Sequence, residues 1–365
     1  MSHDLRDPNR KKQLLDKLMH LSHRAAQRLG RPAVLMEVCG THTMAIAKSG
    51  IKQLLAGYLE LRSGPGCPVC VTDWRDIDQI IAMAGSGQNL VIGTFGDMIR
   101  VPGTNSSLEI ERAKGAEVEV FYSPTEAVNY AAQHPQKEMV FLGIGFETTT
   151  PAIALSVQLA KQKGLGNYSV FSVHKKVSPA LYHLLEDGEL TVDGLLLPGH
   201  VCTITGSKAF DFVAKDYGVP TVIAGFEQED LLLSLYILLK QVAEGRAENI
   251  NGYARLVREE SNQKAMDLMA QCFYPADVSW RGFGLISQSG LLLRENLAQY
   301  DAAKRFPVAI PDTAPPEGCA CGEVLKGKIS PRECPLFAGA CTPLQPIGPC
   351  MVSSEGACAA QFLYQ

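Results

Sequence analysis

The feature that most constrains this chain is an alternation. Short apolar runs, each too brief to be a core helix, recur between stretches of helical periodicity. Runs that read as buried strands occupy residues 33–38, 90–95, 118–122, 139–144, 169–173, 194–197 and 220–224. Helical patterns fall between most of them, at 72–84, 125–134, 152–163, 179–186, 208–216 and 228–244. Strand and helix in turn predict parallel sheets with both faces covered, because a parallel crossover needs an intervening helix. Ahead of the first run, Leu14, Leu15, Leu18, Met19 and Leu21 recur at helical spacing, and Gly30 with Pro32 ends that helix. Ser123, Pro124 and Glu126 predict a capping box with proline at the first helical position.

At 365 residues the chain suits two or three domains. The expected division is an α/β domain over 1–122, a second, similar α/β domain over 123–245, and an irregular, proline- and cysteine-rich domain over 246–365. A formal net charge of −4 provides no basic field, so nucleic acid is not an expected partner. The charged N-terminus does not read as a secretory signal, and no apolar run reaches the roughly 18 residues of a membrane span. The expected location is the cytoplasm, where clustered cysteines bind metal or do redox chemistry more often than they staple a fold.

Six of the eleven cysteines lie between Gly318 and Cys358. Cys319, Cys334, Cys341 and Cys358 are separated by fourteen, six and sixteen residues. These spacings are wider than zinc knuckles, and Cys319-Ala-Cys321 is too close for one, so an iron-sulfur cluster is favoured over structural zinc. Four ligands leave Cys321 and Cys350 over, as a pair that can form a dithiol beside the cluster. Upstream, Gly64-Pro65-Gly66-Cys67-Pro68-Val69-Cys70 places a Cys-x-x-Cys at a helix start, where the dipole favours thiolate and the spacing permits a disulfide. The other reading is half of a zinc knuckle, for which no second Cys-x-x-Cys exists. In Glu37-Val38-Cys39-Gly40-Thr41-His42-Thr43 a strand gives way to a helix, setting Cys39 at the carboxyl edge of a parallel sheet. A strand-end cysteine is often mere packing. His42 in a polar run favours a site, with Cys39 kept ionised by the helix start and enclosed by glycine-bounded loops at Gly93, Gly143 and Pro198. Cys202 and Cys272 read as packing. No phosphate loop or complete dinucleotide fingerprint occurs.

Taken in order, CGTHT, GPGCPVC, GTFGDMIRVPG, GFETTTP, PGHVCTITG and the ending GCACGEVLKG, ECPLF, CTP and GPCMVSSEGAC resemble the HypD hydrogenase maturation family over nearly the whole chain. Ser178 in HKKVSPAL departs from the expected second proline. The resemblance implies two similar Rossmann-like parallel-sheet domains with a C-terminal iron-sulfur domain, and a scaffold on which the Fe(CN)2(CO) unit of nickel-iron hydrogenase is assembled. It implies HypC, which shares the iron, and HypE, which delivers cyanide as a thiocyanate, as partners. It also implies Cys39 as the iron-holding residue, Cys67 and Cys70 as the central redox pair at the metal, and Cys319, Cys334, Cys341 and Cys358 as [4Fe-4S] ligands. Such a protein is a redox-active scaffold more than a turnover enzyme. A rival reading uses the same residues without Cys39: an iron-sulfur-dependent thiol-disulfide reductase acting on another protein. A third is a structural zinc platform.

Overall fold

The structure, a computed structural model, describes residues 8–186, 188, 191–310 and 314–364; the first seven residues of the charged N-terminus lie outside this range. Its strands are β1 (Ala33–Glu37), β2 (Leu59–Ser63), β3 (Leu90–Thr94), β4 (Glu117–Val120), β5 (Glu138–Gly143), β6 (Tyr168–Ser172), β7 (His174–Lys175), β8 (Gly194–Pro198), β9 (Thr221–Ala224), β10 (Asn249–Asn251), β11 (Phe273–Trp280) and β12 (Gly284–Leu293). They form a five-stranded parallel sheet in the order β10-β9-β8-β1-β2, a four-stranded parallel sheet β4-β3-β5-β6, and a small antiparallel sheet β11-β12-β7. All seven expected strands are present, within one or two residues of the runs that announced them.

Every residue of β1, β3, β8 and β9 is buried, the condition that makes a strand read as a continuous apolar run. Alternate side chains go to opposite faces. In the first sheet Leu35, Leu196 and Val222 pack outward under Leu14, Leu18 and Leu21 of the N-terminal helix Pro8–Leu29 and Leu231, Leu235 and Leu238 of helix Gln228–Glu244. Their neighbours Met36, Leu195, Leu197 and Ile223 turn inward and share one core with Ile92, Val140, Leu142 and Phe171 of the second sheet. The outer face of that second sheet, with Val91, Met139, Phe141 and Val170, is covered by helices Pro124–Gln133 and Thr150–Gln162.

Chain order and sheet membership do not run together. β4 and β5, on either side of Ser123, lie in the same sheet, while the first sheet takes β1 and β2 from before β3 and β8, β9 and β10 from after β6. The expected capping box is displaced by one residue. Ser123 accepts from the Thr125 amide at 3.3 Å, but Glu126 reaches back to the Tyr122 amide at 3.1 Å rather than to Ser123. Past β12 the chain continues through short helices Cys321–Leu325 and Ala357–Tyr364 and tight turns at Pro331–Glu333 and Pro349–Met351. No helix among the described residues is long and apolar enough to cross a membrane.

Candidate functional site

Where β1 ends, the chain leaves the sheet in extended conformation at Cys39 (φ −155°, ψ 124°) and enters helix Gly40–Ser49. The buried Glu37 carboxyl holds this turn, accepting from the Cys39 amide at 3.3 Å and the Thr43 hydroxyl at 2.6 Å. Burial raises its pKa to about 8. Cys39 is only 8% exposed, and burial pushes its thiol up to about 12 although the His42 amide works the other way. The helix start alone therefore does not keep the thiol ionised as expected: desolvation outweighs one helix terminus. His42 is fully buried, its Nε2 donating to the Gly225 carbonyl at 3.0 Å, and burial lowers its pKa to about 4, so the ring is neutral. It stacks on Phe226, whose ring also stacks on His200.

The second motif closes over the first. Gly64 N donates to the Glu37 carbonyl at 2.8 Å, and Gly40 N donates to the Gly66 carbonyl at 2.9 Å. Gly66 presses on the backbone of Val38 and Cys39 so closely that any Cβ there would overlap it. Cys67 then caps the single turn Pro68–Val71, accepting from the Cys70 amide at 3.2 Å. Cys67 and Cys70 are joined in a disulfide, and both are buried. In this state neither can ligate a metal, since a disulfide has no thiolate to donate.

The third motif arrives from the far end of the chain. Glu355 lies against Gly40, with its carboxylate accepting from the Thr41 hydroxyl at 2.6 Å. Ser353 donates to Asp97 at 3.2 Å, tying the same loop to the turn after β3. The turn Pro349–Met351, which carries Cys350, packs against the Cys67–Cys70 turn. Motifs more than 300 residues apart thus meet around Cys39.

Behind this junction Cys319, Cys321, Cys334, Cys341, Cys350 and Cys358 all line one cavity, with Leu336, Phe337 and Met351 as its apolar wall. The Ile347 amide donates to Cys341 Sγ at 3.3 Å. Cys321 is in hydrogen-bond contact with Cys319 and Cys350, and Cys350 with Cys358; sharing protons along this chain holds Cys321 low and Cys319 and Cys350 high. Among the described residues, no three His, Cys, Asp or Glu side chains converge on a point as a single ion would require. Thiols around an apolar chamber, with no carboxylate or imidazole among the lining groups, suit a multi-iron sulfide cluster held from its periphery.

The expected loops are placed unevenly. Pro198 ends β8, the neighbour of β1, with Gly199 just beyond it, and Val38 donates to the Leu196 carbonyl at 3.0 Å. Gly93 and Gly143 are instead strand residues, whose missing Cβ makes room for Phe121 and Met139 in one case and His174 in the other. Beyond Gly143, the buried Glu147 accepts from the Val177 amide at 3.1 Å and lies near Cys202, which in turn lies near Cys39. Cys272 is packing, with its thiol on the Ala154 carbonyl at 3.4 Å. Glu355 had no signal in the sequence, because an acid in a polar run gives no hint of burial against a distant turn; Glu37 had one that was missed, since it is the single acid inside the apolar run at 33–38.

Residues 11–365 match the HypD family, described as the "Hydrogenase formation hypA family". The chain is 41% identical to the hydrogenase maturation factor HypD of Rhodobacter capsulatus and 40% identical to that of Escherichia coli K12, in each case over 99% of this chain and 97% of the relative. It is 44% identical to the hydrogenase expression/formation protein HupD of Azotobacter chroococcum, over 90% of this chain and 89% of the relative. A match of this length, together with the meeting of the three cysteine motifs, shows that the chain belongs to the HypD family of hydrogenase maturation factors.

Proposed function

We propose that this protein is the scaffold on which the Fe(CN)2(CO) unit of nickel-iron hydrogenase is built, with iron as cargo held at Cys39 together with a HypC-type partner and cyanide received from a HypE-type partner. The observation that carries this reading is the junction of Cys39, the Cys67–Cys70 pair and the Glu355 loop. A soft thiolate is the anchor that low-spin iron bearing cyanide and carbon monoxide prefers, and iron binding replaces the Cys39 proton that burial retains.

The pair supplies the electrons. Releasing cyanide from a thiocyanate is a two-electron reduction: two thiols at Cys67 and Cys70 give up two protons and two electrons, the S–CN bond breaks, and thiol, hydrogen cyanide and the Cys67–Cys70 disulfide result. The disulfide of this structure is the product side of that balance. Cys319, Cys334, Cys341 and Cys358 would hold a [4Fe-4S] cluster, which supplies single electrons when bound. Cys321 and Cys350, in contact with each other and with the turn that backs Cys67 and Cys70, remain outside the ligand set. We further propose that the paired parallel sheets act as two Rossmann-like domains and the cysteine-rich end as a third unit.

The reductase reading fits less well. It needs only the cluster and the Cys67–Cys70 pair, and leaves without a role the Cys39 turn on which Glu37, Gly66 and the Glu355 loop converge. Infrared spectroscopy of the protein purified with its HypC partner tests the proposal. Cys39→Ala should lose the cyanide and carbonyl bands while keeping the brown chromophore and the Cys67/Cys70 couple. Bands that persist in that variant place the iron elsewhere and favour the reductase.

A further inference from the structure

Cys39 is only 8% exposed, whereas the cargo assigned to it above is an iron with its diatomic ligands and a partner's thiolate. Something over Cys39 has to yield, and the three elements that enclose it are fastened differently. The β1 turn continues a strand paired on both sides, with β2 and β8. The turn at 64–66 is tied to it by two backbone hydrogen bonds, from Gly64 N to the Glu37 carbonyl at 2.8 Å and from Gly40 N to the Gly66 carbonyl at 2.9 Å. Residues 352–356 are held otherwise. Their backbone bonds close within the cysteine-rich end, from Val352 N and Ser353 N to the Pro349 carbonyl and from Gly356 N to the Ser353 carbonyl. Among the described residues, two side-chain bonds tie them to the body: Thr41 to Glu355 at 2.6 Å and Ser353 to Asp97 at 3.2 Å.

Both ends of this segment are anchored. Cys350 on one side and Cys358 on the other line the thiol chamber, and the segment folds back so tightly that a Cβ on Gly356 would overlap the Cys350 carbonyl. Its middle only rests on the body. Glu355 lies against Gly40, where the three atoms nearest to an added Cβ all belong to Glu355. The Glu355 and Asp97 carboxylates, which accept the two tying bonds, repel each other. Anchored ends, few ties and a like-charge contact describe a segment that opens locally while the body stays folded.

We propose that residues 352–356 form a strap that swings off Gly40 to admit iron and the partner's thiol to Cys39 and then closes over them, with Glu355 as its latch. For the identity of the cargo this rests on the scaffold reading; its test uses no iron. In the full-length protein, purified anaerobically with its cluster and with the Cys67–Cys70 disulfide intact, peptide mass spectrometry follows the rate at which iodoacetamide alkylates Cys39. Cys202, 0% exposed in the core, is the reference for opening of the body. Ser353→Ala removes the bond to Asp97, at a distance from Cys39 itself. Gly40→Ala displaces Glu355 with a residue that otherwise suits the start of the helix. Each should speed alkylation of Cys39 at least about tenfold and leave Cys202 unchanged. An unchanged Cys39 rate in Ser353→Ala overturns the strap, and so does a parallel acceleration at Cys202, which means that access comes by unfolding of the body. Should Gly40→Ala fail to fold, Ser353→Ala still decides. Strap and scaffold fail separately: an unchanged rate beside lost infrared bands in Cys39→Ala removes the strap alone, and a raised rate beside persisting bands removes the scaffold alone.

Discussion

The parallel-sheet body and the cysteine-rich end are held together in different ways. In the body, strands buried on both faces meet helices through Leu, Ile, Val and Phe, and a large apolar core spans both sheets. Between residues 314 and 364 the longest helix is Ala357–Tyr364, and the rest is turns whose side chains close on six thiols rather than on one another. Burial of apolar area is distributed and tolerates small losses, whereas a thiol centre concentrates stability in a few groups. Losing one ligand should therefore cost the end of the chain more than losing one leucine costs the body.

The largest effect is expected at Cys334. Cys334→Ala should abolish the cluster chromophore and speed proteolysis within residues 314–364 by at least about tenfold, while the body keeps its unfolding midpoint. Full iron and sulfide content in that variant would show that Cys334 is no ligand. Next comes Leu35→Ala in β1, a fully buried side chain, which should destabilise the body by about 3 kcal/mol in a denaturant titration and leave the chromophore of the folded protein intact. A parallel loss of both would mean that the two regions unfold as one.

A smaller effect is expected from Glu147, in the body but outside both thiol centres. Burial raises its pKa to about 7 from an ordinary 4.5, so between those values the folded state holds a proton that the unfolded chain releases. Stability should fall as pH rises from 4.5 to 7 and level off above it, by a total of about 3 kcal/mol, and Glu147→Gln should flatten that slope. An unchanged slope assigns the pH dependence to another group. The smallest change belongs to Cys321→Ser with Cys350→Ser, which should retain iron, sulfide and chromophore; cluster loss there would move the ligand set onto this pair.

Legibility follows the same division. Strands buried on both faces announce themselves, and all seven apolar runs became strands, although β4, at the edge of its sheet, keeps Glu117 and Val120 exposed. β11 and β12 did not, because as an antiparallel pair they keep many exposed residues, have a register shift between Ala276 and Val278, and break the alternation with serine, glutamine and glycine. β7 and β10, of two and three residues, are too short to carry a period. The three cysteine motifs stood out by residue type, but their meeting did not. It rests on backbone contacts at Gly40 and Gly66 and on Glu355, features that a linear pattern does not encode.

The interleaving of the two sheets bears on the order in which the protein can be made. The β3 to β6 sheet is contiguous in the chain and can close as soon as residue 172 has emerged. The other sheet cannot. β1 waits for β8, and the bond from Val34 to Asp193 joins residues 159 apart, so during synthesis β1 and β2 present an open edge and an uncovered apolar face. The Cys39 turn is built on that waiting edge. A nascent chain therefore finishes the β3 to β6 sheet before the sheet that carries Cys39, and the Glu355 loop that completes the junction is added almost last.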